Sequence, residues 1–565
     1  FFFLLRAVIK LRYWAPGNKK KDLSEKVVVG LKPFHIALLI SAQMAIIIAV
    51  SQGVVHETFP KLPAPPPYPA AGEVGGPIFE EAVPVIPFKR YPPGFDVQGP
   101  RADGTETDRQ QERVLQREYK YQMEIVNYVY LGFGMQYAFL RKFGYSTIAF
   151  GLLGASIASQ WGFYWMQLID NLHCKWLITQ YCGEDTTTCG LDPNCYTDFT
   201  ADQITGTFKQ IQLRQACVCN THRNFQRNNT EITERPNHAR NALLVTGRLD
   251  FTTNLVMNSP AIMEALYATV PVQISIGVLL GKVSPAQMSI MSILCVTAYG
   301  VNNWVCIYML GCYDNIGGCC IIHLFGACFG TGATVFASQK GSANNPDNQP
   351  RYNADVMAMI GTILNWMTFP SFNAYFAPAV SQQGVVVNTY LSLFSSSVWV
   401  MFFSSLYSGQ FKLDPADVQR SSLAGGVAIA SCASIFARPH EALIIGAFGG
   451  FVCSTAHRFV RPFFERKLMV TDTVGAISLH ALPGLVAWLA GIIYVYPLGQ
   501  DYRGKWSGQS FITTQTLTLP YGGEYSTTFM HSEGDGDTAI YQALMAPVTI
   551  CIGTGTGIAT GYVLR

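Results

Sequence analysis

The chain has 565 residues, 49% of them hydrophobic and only 13% charged. That charge content is about half of what a soluble globular protein carries, which excludes a water-soluble enzyme or binding module with an ordinary polar surface. The formal net charge of +3 is small, and the basic residues lie beside apolar segments instead of forming a patch, so nucleic acid is not an expected partner.

Residues 1–34 form a basic leader to the first apolar segment, with Arg6, Lys10, Arg12, Lys19, Lys20, Lys21, Lys26 and Lys32. Phe1 to Leu5 is too short for a signal-peptide core and precedes the basic residues, so no cleaved signal is expected here. Apolar windows of about 20 residues then recur, each long enough to span a bilayer as a helix. We read twelve: 35–56, 121–141, 145–170, 256–281, 284–310, 315–338, 353–378, 386–408, 420–437, 440–457, 472–497 and 540–563. The windows do not alternate apolar and polar residues, which argues against a membrane β-barrel. The expected fold class is therefore an all-α polytopic membrane protein. Lys and Arg cluster after alternate segments, at Arg141, Lys282, Lys340, Lys412, Arg458 and Arg565 among others. By the positive-inside rule both termini face the cytoplasm.

Taken in order, the expected organisation is a cytoplasmic N-terminus (1–34), a first transmembrane helix (35–59) and an extracellular loop (60–120) rich in proline and acidic residues. Transmembrane helices follow over 121–170, then a cysteine-rich extracellular insertion over 171–255. Helices occupy 256–497, an extracellular loop 498–539, and a last helix with a cytoplasmic end 540–565. The first loop has the composition of an extended connection. The 171–255 insertion holds Cys174, Cys182, Cys189, Cys195, Cys217 and Cys219. An even number of cysteines in an exterior loop reads as a disulfide framework, with fifteen possible pairings; a zinc site is the rival reading. Asn228-Asn229-Thr230 is a glycosylation sequon in the same loop. The 498–539 loop, rich in Thr, Gly and Ser, reads as a cap or contact surface.

Two segments share a plan. Asp314 opens one, followed by Gly317, Gly318 and His323; Asp472 opens the other, followed by Gly475 and His480. Ionisable groups in hydrocarbon are costly and tend to line a pathway or cavity. The expected topology makes the two copies inverted, as in transporter repeats. His323 follows Asp314 by nine residues and His480 follows Asp472 by eight. At about 1.5 Å per residue each His lies roughly 12 to 14 Å beyond its Asp. Starting from opposite faces of a core about 30 Å thick, both reach the midplane. The competing reading of each His is a buried hydrogen-bond partner with no transport role.

With these residues the sequence resembles the Amt/Rh ammonium transporter family, its Rh glycoprotein branch in particular. The likeness is carried by Tyr130-Leu131-Gly132-Phe133-Gly134, Phe143-Gly144-Tyr145-Ser146, Gly281-Lys282-Val283-Ser284-Pro285 and Met359-Ile360-Gly361-Thr362. Trp366, Pro370-Ser371-Phe372-Asn373, Leu423-Ala424-Gly425-Gly426-Val427-Ala428 and the Asp472-to-Gly484 stretch complete it. The resemblance implies an inverted five-plus-five helix repeat with one extra helix at each end, assembled as a homotrimer in the lipid bilayer with one pore per subunit. It implies that His323 and His480 are twin pore histidines, and that Asp314 and Asp472 are inverted counterparts. It further implies that Phe372, beside Asn373, and Tyr267 are gate aromatics. Three departures stand out: the Asp314–His323 spacing is one residue longer than usual, Tyr267 replaces Phe, and Asn303 stands where Rh proteins have Glu. Glu264, one turn before Tyr267, is a candidate to compensate.

The expected function is passive conduction of ammonia or ammonium, with no cofactor, no metal and no enzymatic chemistry. An unpaired NH4+ loses its hydration in an apolar pore, whereas NH3 crosses at far lower cost. Aromatic faces and a carboxylate at the mouth would gather the cation, and two neutral imidazoles would hydrogen-bond a polar guest without adding charge. Asp314 reads as a structural cap rather than a proton carrier. The rival readings are a non-transporting Rh-like membrane protein, a channel for CO2 or another small gas, and an intramembrane metal or haem protein using the two histidines.

Overall fold

A computed structural model describes, with short gaps, residues 119–182, 255–434, 439–502 and 538–565, together with strands at 54–56, 511–518 and 524–531. The architecture is helical. Six helices among the described residues are long and apolar enough to cross a membrane: Ala261–Leu279, Pro285–Ile307, Cys319–Ala337, Gln382–Tyr407, Pro439–Leu468 and Tyr541–Val563. Windows of this length and composition define an integral membrane protein.

The elements run as follows. A π-helical turn, Asn127–Gly132, leads into α1 (Phe133–Gln136), and α2 (Gly144–Cys182) comes next. α3 (Ser259–Leu279) and α4 (Pro285–Asn303) form an antiparallel pair across the turn containing Gly281, whose φ is +76°. α4 starts with a capping box: Ser284 Oγ accepts from Gln287 N, Gln287 Oε1 accepts from Ser284 N, and Pro285 supplies the preset first residue. A π-helical turn, Cys319–Leu324, opens α5 (Phe325–Ala337). α6 (Tyr352–Ala374) and α7 (Ala379–Tyr407) follow, then the short α8 (Pro415–Ser421) and α9 (Ala424–Ile429). α10 (Pro439–Thr455) continues through a π-helical turn, Ala456–Val460. Another such turn, Ile477–Ala481, opens α11 (Leu482–Tyr502), and α12 (Thr538–Val563) closes the described chain.

Small residues set the closest approaches. Gly553, Gly557 and Gly561 recur every fourth residue on α12 and face α5. A Cβ on Gly557 would lie 2.2 Å from Phe329 O, and one on Gly561 2.3 Å from Ala333 O. Without a hydrophobic drive between helices in lipid, such backbone proximity provides the dispersion contacts that hold them. Gly446 approaches Ser392 O in the same way and brings α10 onto α7. Tryptophans anchor other pairs: Trp161 Nε1 donates to Thr297 Oγ1 at 2.9 Å, and Trp488 Nε1 to Gln542 O at 2.7 Å. The core is rich in fully buried aromatics, among them Tyr128, Phe133, Phe325, Phe369 and Phe372.

The structure differs from the sequence reading in four places. α2 runs to Cys182 rather than ending near 170. The window 420–437 is a broken segment, α8 and α9 followed by a 3-10 turn Ala430–Cys432, rather than one span. Gly425 and Gly426 there fit against Ser392 O and the Phe369 ring, so tertiary packing sets the path of the chain. Within the first apolar window, Val54–His56 is a strand (β1) paired parallel with Leu255–Met257 (β2). The 498–539 loop contains an antiparallel hairpin, β3 (Phe511–Thr518) with β4 (Glu524–His531), which matches the Thr content that favours strands. The 60–120 loop and most of 171–255 lie outside the described residues.

Candidate functional site

The two Asp–Gly–His segments supply the centre. Asp314 Oδ1 accepts from Cys319 N, and its Oδ2 from Cys320 N and Ile321 N, each at 2.8 Å. Its carboxylate thus satisfies the orphan donors at the start of the Cys319–Leu324 turn, where a negative charge is also favoured by the helix dipole. Asp472 repeats the device, accepting from Gly475 N at 2.9 Å and Ile477 N at 2.8 Å. Both carboxylates are buried. The extra residue between Asp314 and His323 is taken up at Gly317 and Gly318, both left-handed at φ +65° and +61°, where any other residue would be strained. Each His then lies in a π-helical turn, a form frequent at functional sites.

The structure brings His323 and His480 together. Their Nδ1 atoms are 3.2 Å apart, with ring centroids 5.2 Å apart and planes 15° from parallel. The rings lie almost in one plane, edge to edge. A single proton shared between the Nδ1 atoms makes one imidazole the donor and the other the acceptor. His323 is fully buried and His480 is 5% exposed. His323 Nε2 has no hydrogen-bond partner among the described residues, so it is free to bond a polar guest. Phe133 stacks near His480 at 6.2 Å, and Phe369 and Phe372 lie 6.0 and 6.1 Å from His323.

Beyond the histidines lies an aromatic stack. Phe372 stacks on Tyr267 at 4.6 Å and on Tyr128 at 4.8 Å, each 17° from parallel. The Tyr267 hydroxyl donates to Phe372 O. The hydroxyl that distinguishes Tyr267 from Phe therefore bonds the backbone of the other ring's residue. Asn373, next in the chain, donates from Nδ2 to Thr389 Oγ1 and Gly426 O, tying α6 to α7 and α9. Its geometry is that of a helix tie. Glu264 is half-buried, one turn before Tyr267. Asn303 is fully buried, and neither of its amide atoms has a partner among the described residues. Asp314, Cys319 and Cys320 are close enough to share a metal ion, but both carboxylate oxygens already accept backbone N–H groups. Asn228, Cys189, Cys195, Cys217 and Cys219 lie outside the described residues. Cys174 and Cys182 fall on the backbone of α2, with side chains outside the description.

Tyr128, Phe133 and Phe369 were not singled out as site residues by the sequence reading. Phe133 lies inside a block that carried the family likeness. For Tyr128 the sequence holds no signal, since membrane helices contain many aromatics.

The bundle has the fold of solved ammonium-transporter-type structures. It is similar to Rh50 of Nitrosomonas europaea, with TM-score 0.54 and 20% identity over 79% of this chain and 87% of that one. It is also similar to Mep2 of Candida albicans, with TM-score 0.51 and 12% identity over 78% and 81% of the two chains. The model of the Ammonium Transporter Family matches residues 220–565. Bos taurus ammonium transporter Rh type A is 40% identical over 263 residues, 46% of this chain and 62% of that protein. Danio rerio ammonium transporter Rh type B is 32% identical over 311 residues, 54% of this chain and 64% of that protein. The match thus spans a little under two thirds of these two relatives. The chain belongs to the Ammonium Transporter Family, in its Rh branch.

Proposed function

We propose that the protein is a passive Rh-type channel that conducts NH3, or net NH4+, through an apolar pathway centred on His323 and His480. The observation that carries this reading is the edge-to-edge imidazole pair, buried amid Phe133, Phe369 and Phe372. An ion stripped of water in such surroundings would cost many kcal/mol, whereas a small neutral base needs one donor and one acceptor. The histidine pair offers both without a fixed charge. Phe372 and Tyr267 form the gate, and a cation waiting outside it rests against aromatic faces. Glu264 adds negative potential near that gate. Asp314 and Asp472 hold the two histidine turns in place.

The subunit is expected to form a homotrimer in the plasma membrane, with twelve spans in an inverted repeat and both termini cytoplasmic. Exposed Ile363, Met367, Val398, Phe402, Ile444 and Ile493 give the isolated chain an outer surface suited to acyl chains or to neighbouring subunits. The exterior insertion is expected to be disulfide-bonded and glycosylated at Asn228.

A second reading, a non-transporting Rh-like membrane protein, rests on the family resemblance, which implies that Asn303 stands where Rh proteins have Glu, a change that would weaken cation recruitment. Liposomes containing the purified protein and an internal pH dye separate the two. An ammonium gradient should shift internal pH faster than in empty liposomes, and His323→Ala and His480→Ala should change that rate. Currents recorded in parallel report whether net charge moves. Neither a pH response nor a current from correctly inserted wild-type protein would sink the channel reading.

A further inference from the structure

Tyr128 takes no part in the pathway as proposed above, yet its ring touches each phenyl ring that encloses the histidine pair. It lies in the π-helical turn Asn127–Gly132 and is 1% exposed. The ring meets Phe133 at 5.2 Å, Phe369 at 5.4 Å and Phe372 at 4.8 Å. Phe133 in turn lies 6.2 Å from His480, and Phe369 and Phe372 lie 6.0 and 6.1 Å from His323. Tyr128 and the imidazole pair therefore share the same three aromatic neighbours.

Phe372 is held between two phenols. Tyr267 lies 4.6 Å and Tyr128 4.8 Å from it, each 17° from parallel. At a stacking height of about 3.5 Å, two phenols on one face of Phe372 would have centroids no more than about 6 Å apart, too close for rings lying side by side. They therefore cover opposite faces. The Tyr267 hydroxyl donates to Phe372 O and latches its side, whereas Tyr128 meets Phe372 by ring packing.

The backbone behind Tyr128 is pressed against α6. A Cβ on Gly361 would lie 2.3 Å from Gln136 N, one on Gly132 would overlap the Asn365 side chain, and Asn365 Nδ2 donates to Gln136 Oε1 at 3.0 Å. With both main chains held this closely, the adjustable part of the wall is the Tyr128 ring itself, turning about its side-chain bonds.

We infer that Tyr128 is a specificity-determining residue of the pathway, a ring that limits passage between Phe372 and the histidines to guests no larger than ammonia. A wall packed this closely has no slack for a methyl group, and discrimination over one such group in a fitted apolar site is about tenfold or more. The selection is by the size of the ring, so the hydroxyl is not needed for it. The inference rests on the channel reading and adds to it the class of substrate that is refused.

The test uses proteoliposomes holding the full chain and an internal pH dye. Ammonium chloride or methylammonium chloride is added outside, and the rate in empty liposomes is subtracted. Tyr128→Leu should raise the ratio of the methylamine rate to the ammonia rate about tenfold. Tyr128→Phe, which keeps the ring, should leave the wild-type ratio unchanged. Phe329→Leu truncates a fully buried ring on α5, away from the Phe372 stack, and should also leave it unchanged. If Tyr128→Leu does not fold, Tyr128→Met, with its unbranched and adaptable side chain, takes its place with the same expectation. An unchanged ratio in the folded Tyr128→Leu or Tyr128→Met protein would overturn the inference while ammonia conduction stands. So would a rise in Tyr128→Phe, or an equal rise in Phe329→Leu. Wild-type protein with no ammonia rate above that of empty liposomes would overturn the channel reading, and the size limit with it.

Discussion

Asp314 makes the sharpest test of what the two inverted carboxylates do. Asp314→Ala would orphan the N–H groups of Cys319, Cys320 and Ile321, all in a buried setting. At about 1–3 kcal/mol per buried unsatisfied donor, the loss is on the order of 5 kcal/mol. Asp472→Ala orphans only the N–H groups of Gly475 and Ile477, so its loss is on the order of 3 kcal/mol. Asp314→Asn is intermediate. Its amide oxygen can keep Cys320 and Ile321, but its NH2 then faces the Cys319 donor, at a cost of about 2 kcal/mol. Apparent melting of the protein in nanodiscs, followed by tryptophan fluorescence, should rank wild type above Asp314→Asn and both above Asp314→Ala, with Asp472→Ala above Asp314→Ala. The reasoning fails if Asp314→Asn melts like wild type yet abolishes ammonium-driven flux. The carboxylate charge would then act on the permeant rather than on the turn.

Other outcomes follow from single contacts. Tyr267→Phe keeps the stack on Phe372 but loses the hydroxyl bond to Phe372 O; the loss should be about 1 kcal/mol in stability, with flux retained in the liposome assay. Gly557→Val drives side-chain atoms into Phe329 O and should abolish folded, monodisperse protein in size-exclusion chromatography. Gly555→Ala, with nothing within 4 Å of its new Cβ, should behave as wild type. Lys282 lies in the turn between α3 and α4, and burial pushes its ammonium down from 10.5 to about 7. The unfolded chain therefore binds the proton over a pH range where the folded chain does not, so stability should rise as pH climbs from about 7 towards 10.5. Melting temperatures of wild type relative to Lys282→Met should show this rise across that window; a flat difference would mean that Lys282 keeps its charge when folded.

Much of the site was legible because its chemistry needs rare residues in rare places. A histidine within an apolar run is conspicuous, and two of them behind matching Asp–Gly openings specified each other before any contact was known. Phe372 and Tyr267 needed the family likeness, because an aromatic in a membrane helix carries no distinguishing pattern. Tyr128 could not be read at all, since its place on the Phe372 face depends on how α6 crosses the Asn127–Gly132 turn. Helix ends were the weakest reading. Asp170, Asn171 and His173 read as the polar end of a span, yet α2 continues to Cys182, whereas the glycines of 425–426 are shaped by Ser392 and Phe369 on other helices.

The glycine stripe of α12 has a consequence for how the protein is made. Its partner α5 carries the histidine turn and leaves the ribosome long before α12 does. Until Gly553, Gly557 and Gly561 arrive, the Phe329–Ala333 face of α5 has no close neighbour there and must be sheltered by lipid, the insertion machinery or a chaperone. The histidine pair can therefore form early, but its supporting wall closes late. A ribosome that stalls before α12 would release a chain with its central residues in place and its packing open, which marks it for membrane quality control rather than for use.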